Sequence, residues 1–200
     1  MKKFVLASSN RGKVREINEI LALLDIEVVP QSEFGVADAD ETGLTFVENA
    51  ILKARNAAAH TGLPAIADDS GLEVDYLRGA PGIYSARYAG ADSSDEENLQ
   101  KLLGELQGVA GEKRSARFQC LMVFMRHEND PTPLICQGTW EGRILEAPVG
   151  DNGFGYDPVF LVPEYNCSSA ELSPQVKNSL SHRGQALTKL LVTLREQGHM

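Results

Sequence analysis

The segment Ala67-Asp68-Asp69-Ser70-Gly71-Leu72 sets two adjacent carboxylates and a hydroxyl beside a glycine, directly after the apolar run Leu63-Pro64-Ala65-Ile66. An apolar run that ends in acid and glycine reads as a buried strand delivering carboxylates to a sheet edge, where open α/β folds place their ligands. A divalent cation would sit there. The same residues also have the composition of a plain turn, because Asp and Ser bond to nearby backbone and Gly supplies positive φ. The rest of the chain has to decide between the two.

Two hundred residues with an ordinary apolar share fit one compact domain with a full core, divided into two lobes around a cleft. The net charge of −9 excludes non-specific binding to nucleic acid or anionic membrane, which needs a basic footprint. Any polyphosphate site must therefore be a local basic pocket. The three cysteines, Cys120, Cys136 and Cys167, are far apart and form no C-x-x-C pair, so they read as reduced thiols of a cytoplasmic protein. The apolar stretch Phe4-Val5-Leu6-Ala7 is too short for the core of a signal peptide, and no later stretch is long enough to span a bilayer.

Lys3 to Ala7 reads as a strand, and Val14, Ile17, Leu21 and Leu24 repeat at helical spacing from Lys13 onward. Between them lies the turn Ser8-Ser9-Asn10-Arg11-Gly12-Lys13. A polar, glycine-containing turn between strand and helix exposes backbone N–H groups at the positive end of the helix dipole, and Lys13 adds a full charge. That is a phosphate cradle, although it lacks the G-x-x-x-x-G-K-[ST] spacing of a Walker loop. An Asn or Ser helix cap with a solvated lysine is the plainer alternative. A second helix starts near Thr45, where Thr45-x-x-Glu48 has the form of a capping box. Asn49 and Lys53 then share one helix face, and Glu41 lies just ahead in a glycine-bearing loop.

Leu99, Leu102, Leu103 and Leu106 predict a helix over 98–106, and 117–125 reads as a buried strand. Leu134 to Cys136, Gln137 to Trp140 and Gly142 to Leu145 suggest further extended chain around a turn. Helices alternate with strands early while strands cluster late, which favours a mixed sheet. Gly153-Phe154-Gly155-Tyr156-Asp157 holds two aromatics between glycines, where a ring face can stack on a planar base. Ser181-His182-Arg183-Gly184 precedes a C-terminal helix and could present donors to an acceptor edge, with Lys177 upstream.

Taken in order, these motifs resemble the inosine triphosphate pyrophosphatases, also called dITP/XTP pyrophosphatases, and most of all their bacterial branch. The resemblance runs the length of the chain. It rests on the turn ending at Lys13, Thr42-Gly43-Leu44-Thr45-Phe46-x-Glu48-Asn49-Ala50, Ala67 to Leu72, Gly79-Ala80-Pro81-Gly82, Gly153 to Asp157 and Ser181-His182-Arg183. It implies a homodimeric α/β protein with an elongated mixed sheet, flanked by helices, and a substrate cleft between two lobes. It also implies Mg²⁺-dependent hydrolysis of ITP, dITP and XTP to the monophosphate and pyrophosphate, a house-cleaning activity that clears deaminated purines from the nucleotide pool.

Carried over by position, the resemblance gives Ser8, Ser9, Asn10, Arg11, Gly12 and Lys13 to the triphosphate, with Lys53 neutralising charge. It gives Asp69, with Glu41 and Asp68, to Mg²⁺ and the attacking water, and Ser70 to substrate. Phe154, Gly155, Tyr156, Asp157, Lys177, His182 and Arg183 match the purine pocket. Donors from His182 and Arg183 would pair with O6 of hypoxanthine or xanthine and oppose the amino group of adenine.

Two other functions share parts of this pattern. Pyrophosphatases for modified pyrimidine or methylated nucleotides would use the same metal and phosphate logic with another base pocket, and a comparison of purine with pyrimidine substrates separates them. A nucleotide-sensing regulator would bind without cleaving, because fold alone does not guarantee activity.

Overall fold

The computed structural model describes residues 2–21 and 26–199. Leu24, expected to extend the first helical stripe, lies outside the described residues. Seven strands form one mixed sheet in the order β2-β1-β3-β4-β5-β6-β7. They are β1 (Lys2–Leu6), β2 (Ile26–Pro30), β3 (Ala65–Val74), β4 (Ser115–Met125), β5 (Leu134–Ile144), β6 (Phe160–Val162) and β7 (Cys167–Ser168). β1 pairs in parallel with β2 and β3, whereas β6 pairs antiparallel with β5 and β7. The helices are α1 (Arg11–Leu21), α2 (Phe46–Thr61), α3 (Asp95–Glu105), α4 (Pro174–Leu180) and α5 (His182–Glu196). Among the described residues no helix is long and apolar enough to cross a membrane, and all three cysteines are free.

The chain divides into two compact units. The first, residues 1–70, 120–138 and 182–200, contains β1, β2, α1, α2 and α5. Its part of the sheet is covered on both faces. Ile66, Cys120, Met122 and Phe124 pack with Ile17 and Leu21 of α1 and Leu187, Leu190 and Leu194 of α5. Ala65, Ala67 and Val123 pack with Ala50, Ala54 and Ala57 of α2. The alanines let α2 lie close to the strands, and Thr45 caps it as expected, its side chain accepting from the Glu48 N–H. The second unit, residues 71–119 and 139–181, has one core in which Leu72, Phe118, Trp140, Tyr156 and Phe160 meet Leu99 and Leu102 of α3 and Leu106 at its C-terminal cap.

Three local expectations are corrected. Asp68-Asp69-Ser70-Gly71 is not a turn at a strand end: β3 runs unbroken through it, because the carboxylates find partners on both faces of a strand paired inside the sheet. Residues 134–144 likewise form one strand rather than extended pieces around a turn. Their glycines mark close approach, since a Cβ at Gly138 would lie 2.0 Å from the His182 carbonyl and one at Gly142 2.5 Å from that of Leu161. Finally, α5 begins at His182, so His182 and Arg183 belong to its first turn instead of preceding it.

Candidate active site

Side chains alternate along a strand, so the neighbours Asp68 and Asp69 point to opposite faces of β3. On the α1 and α5 face, Asp68 Oδ2 meets Lys13 Nζ at 3.1 Å and the Arg183 guanidinium at 3.4 Å. Arg183 also donates to Glu16 Oε2 and, at 2.8 Å, to Ser70 Oγ, while Ser70 Oγ donates to Asp68 Oδ2 at 3.1 Å. Ser70 shares this face because it lies two residues beyond Asp68. Burial pushes the Asp68 carboxyl upward, but the charges of Lys13, Arg183 and Lys53 together outweigh it and hold the group well below the ordinary carboxylate range. Its second oxygen, Oδ1, is buried and accepts no hydrogen bond among the described residues.

On the α2 face, Lys53 Nζ lies 2.7 Å from Asp69 Oδ1 and 3.1 Å from Glu41 Oε1, so one ammonium spans two carboxylates. Asn49, one turn earlier on α2 and fully buried, donates to Asp69 Oδ2 at 3.4 Å and accepts from Gly43 N–H at 2.8 Å. Asn49 and Lys53 therefore hold the same two partners, Asp69 and the loop that bears Glu41. Burial raises the Asp69 pKa, and Lys53 and Lys13 offset only part of that rise. Burial also lowers the Lys53 pKa, yet Asp69, Asp68 and Glu41 together reverse the effect and keep the lysine charged. An acid poised upward beside a committed cation suits proton transfer better than an ordinary surface aspartate does.

The turn before α1 is as expected in outline, but the helix starts at Arg11 and Asn10 is its cap. Asn10 Oδ1 accepts from Lys13 N–H at 3.1 Å, Ser8 Oγ accepts from Asn10 N–H, and Ser9 Oγ donates to Asp38. Arg11 is exposed, Gly12 and Lys13 are half-buried, and only Lys13 of the three reaches back to β3.

In the second unit, residues 153–157 form a tight turn whose conformation its own acid imposes. Asp157 is buried; its Oδ2 accepts from Phe154 N–H at 2.8 Å and from Lys177 Nζ at 2.6 Å, and its Oδ1 accepts from Ser169 Oγ at 2.7 Å. Gly153 has φ +81°, and a Cβ there would lie 2.1 Å from Asp157 Oδ2, so no other residue fits. Lys177, on α4, also stands 5.2 Å from the centre of the half-buried Phe154 ring.

The candidate residues thus fall into separate sets. Lys13, Asp68, Ser70 and Arg183 form one, Glu41, Lys53 and Asp69 a second, and Phe154, Asp157 and Lys177 a third. The residues matched to the purine pocket lie in different surroundings. The buried Arg183 guanidinium pairs with the buried carboxylates of Glu16 and Asp68. Tyr156 is a core side chain whose hydroxyl donates to the Ser85 carbonyl at 2.8 Å. His182 is buried at the start of α5.

Sequence reading missed Glu16, although its place three residues after Lys13 puts both on one face of α1. It also gave no role to Asn49. Glu41 and Asp69 offer hard carboxylate oxygens on either side of the Lys53 ammonium, the donor type that fits a divalent metal such as Mg²⁺. Among the described residues no group of three His, Cys, Asp or Glu side chains comes close enough to hold a metal unaided.

Comparison with known proteins places these features in a wider set. The Ham1 family model matches residues 4–193. A protein of Vibrio vulnificus strain YJ016 named dITP/XTP pyrophosphatase is 66% identical over 197 residues, covering 98% of each chain. One of the same name from Photobacterium profundum is 61% identical over 196 residues, covering 98% of this chain and all of the other. Among solved structures, a HAM1 protein from Coxiella burnetii superposes with a TM-score of 0.91 at 55% identity over 98% of this chain and 100% of that one. The Staphylococcus aureus Ham1 protein gives 0.86 at 43% identity over the same shares.

Proposed function

The chain belongs to the Ham1 family, and from that membership and the geometry of its carboxylate sets we propose that it is a nucleoside triphosphate pyrophosphatase acting on deaminated purine nucleotides: dITP, ITP and XTP. The observation that carries the reading is the Lys53 ammonium held between Glu41 and Asp69 on a buried strand face, a site with both the acids and the positive charge that phosphoryl chemistry needs. Glu41 and Asp69 would hold Mg²⁺, with the Asp68 charge close by. When bound, the metal supplies charge for the phosphoryl oxygens and acidifies a bound water.

The chain's own residues divide the remaining work. Asp69 positions the water that attacks the α-phosphorus and takes its proton. Lys53 stays charged and stabilises negative charge that builds toward the leaving pyrophosphate. Lys13 and the N–H groups that open α1 bind phosphate oxygens, and Ser70 adds a hydroxyl on its own face of β3. Phe154 offers its ring to the purine, with Lys177 and Asp157 fixing that ring in place. A homodimeric state and a cytoplasmic setting belong to the same proposal and rest on the family resemblance.

The test is release of pyrophosphate, against orthophosphate, from dITP, ITP, XTP, dATP, dGTP and dTTP with and without Mg²⁺. Metal-dependent pyrophosphate from the first three alone is the expected result. Orthophosphate, equal turnover of the standard nucleotides, or no release would overturn it.

A stacking role for Phe154 predicts that Phe154→Ala raises KM for all three purine substrates alike, by about 5- to 150-fold, since base stacking contributes on the order of 1–3 kcal/mol. Steady-state kinetics check this. Unchanged KM would return Phe154 to a purely structural place in its turn.

A further inference from the structure

The turn that carries Phe154 is held from outside by one carboxylate. Asp157 Oδ2 takes the Phe154 N–H from within the turn, whereas the next N–H, that of Gly155, donates to Asp95 Oδ2 at 2.8 Å from 60 residues away. Asp95 is the first residue of α3, and its position is set firmly. Ser94 and Glu97 close a capping box around it, and the buried Asn98 ties down the preceding loop by accepting from Ala89 N–H and donating to the Ala86 carbonyl. The turn has other outside ties: Lys177 and Ser169 hold the Asp157 carboxylate, and the Tyr156 hydroxyl donates to the Ser85 carbonyl. Those ties act on the Asp157 side chain and on a core ring, while the Asp95 bond acts on the peptide next to Phe154.

We propose that Asp95 is a positioning residue for base recognition: by anchoring Gly155 to the start of α3, it fixes the backbone beneath Phe154 and so sets the affinity for the purine moiety. This rests on the purine-stacking reading above and extends it to a residue that touches no part of the substrate. A turn with two positive-φ glycines, at 153 and 155, has unusual backbone freedom, and each external hydrogen bond removes part of it before the base arrives.

The experiment compares the full chain with Asp95→Ala, Asp95→Asn and Glu96→Ala. Glu96 lies in the same first turn of α3 but bonds to Gln100, so it reports the loss of helix-end charge without loss of the Gly155 contact. KM and kcat are read from pyrophosphate release with dITP, and affinities for dIMP and for pyrophosphate alone from titration calorimetry. The expected result for Asp95→Ala is a rise of about 3- to 10-fold in KM and in the dIMP dissociation constant, with kcat and pyrophosphate affinity unchanged. Asp95→Asn retains an acceptor and should restore both values to within about twofold, and Glu96→Ala should match the wild type.

Wild-type dIMP affinity in Asp95→Ala, or equal loss in Glu96→Ala, overturns the proposal. If the wild-type chain releases no pyrophosphate from dITP, the proposed activity fails, yet the dIMP titrations still decide the role of Asp95. Absence of dIMP binding by the wild type overturns both.

Discussion

Asp69→Asn should lower kcat by about 10²- to 10⁴-fold, the range that a positioned general base supplies, and leave nucleotide binding largely intact. The substitution keeps the shape of the side chain and an acceptor for Lys53, and it removes the charge and the site for the proton. It should change the stability of the folded state little. Burial holds the folded pKa of Asp69 above its unfolded value, so a neutral amide relieves a cost at neutral pH. The same change removes a charge that holds the buried Lys53 ionised, and the two effects oppose each other. Pyrophosphate release with thermal unfolding of the same samples checks both parts. An Asn variant of wild-type activity would remove Asp69 from the reaction.

The second large effect is on stability. Arg183→Met deletes the guanidinium that serves both Glu16 and Asp68, all three being buried. Removing one partner from such a network costs about 3–5 kcal/mol, because the opposing charges stay buried without compensation. In a domain of this size that is a fall in Tm of about 10 °C. The pH dependence has a definite sign. The folded pKa of Asp68 is depressed, so its stabilising contribution is complete above the unfolded value of about 3.9 and is lost as pH falls through the folded value. In Arg183→Met the Asp68 carboxyl loses one of the cations that depress its pKa and takes up its proton sooner. The gap between variant and wild type is therefore widest near neutrality and narrows toward pH 4. Urea unfolding at several pH values checks this, and equal stability at neutral pH would show that the network contributes nothing.

Much of this was legible beforehand because it is written at short range. The helical stripes of α1 and α3, the Thr45 cap and the strand–turn–helix around Lys13 depend on residues within a few positions of one another. What escaped depends on partners supplied by distant chain. Asp68-Asp69-Ser70-Gly71 has turn composition, and it is the helices on both sides of the sheet that make it a strand by giving each aspartate a cation. Gly138 and Gly142 are spaces cleared for a helix start and a neighbouring strand, partners that nothing near them in sequence announces. The pairing of Arg183 with Glu16 escaped as well, because nothing near Arg183 in sequence announces a partner 167 residues away.

The alternation of β3 makes the order of its two aspartates a matter of parity. Their side chains are chemically the same, but one serves the electrostatic circuit of α1 and α5 and the other that of α2, so neither can stand in for its neighbour. Losing one residue from the strand ahead of them would exchange their sides and present Asp69 to Arg183 and Asp68 to Lys53. Losing two would keep each on its own side. Length variation in this strand is therefore tolerable in even steps only, a constraint set by the pleat and not by the composition of the motif.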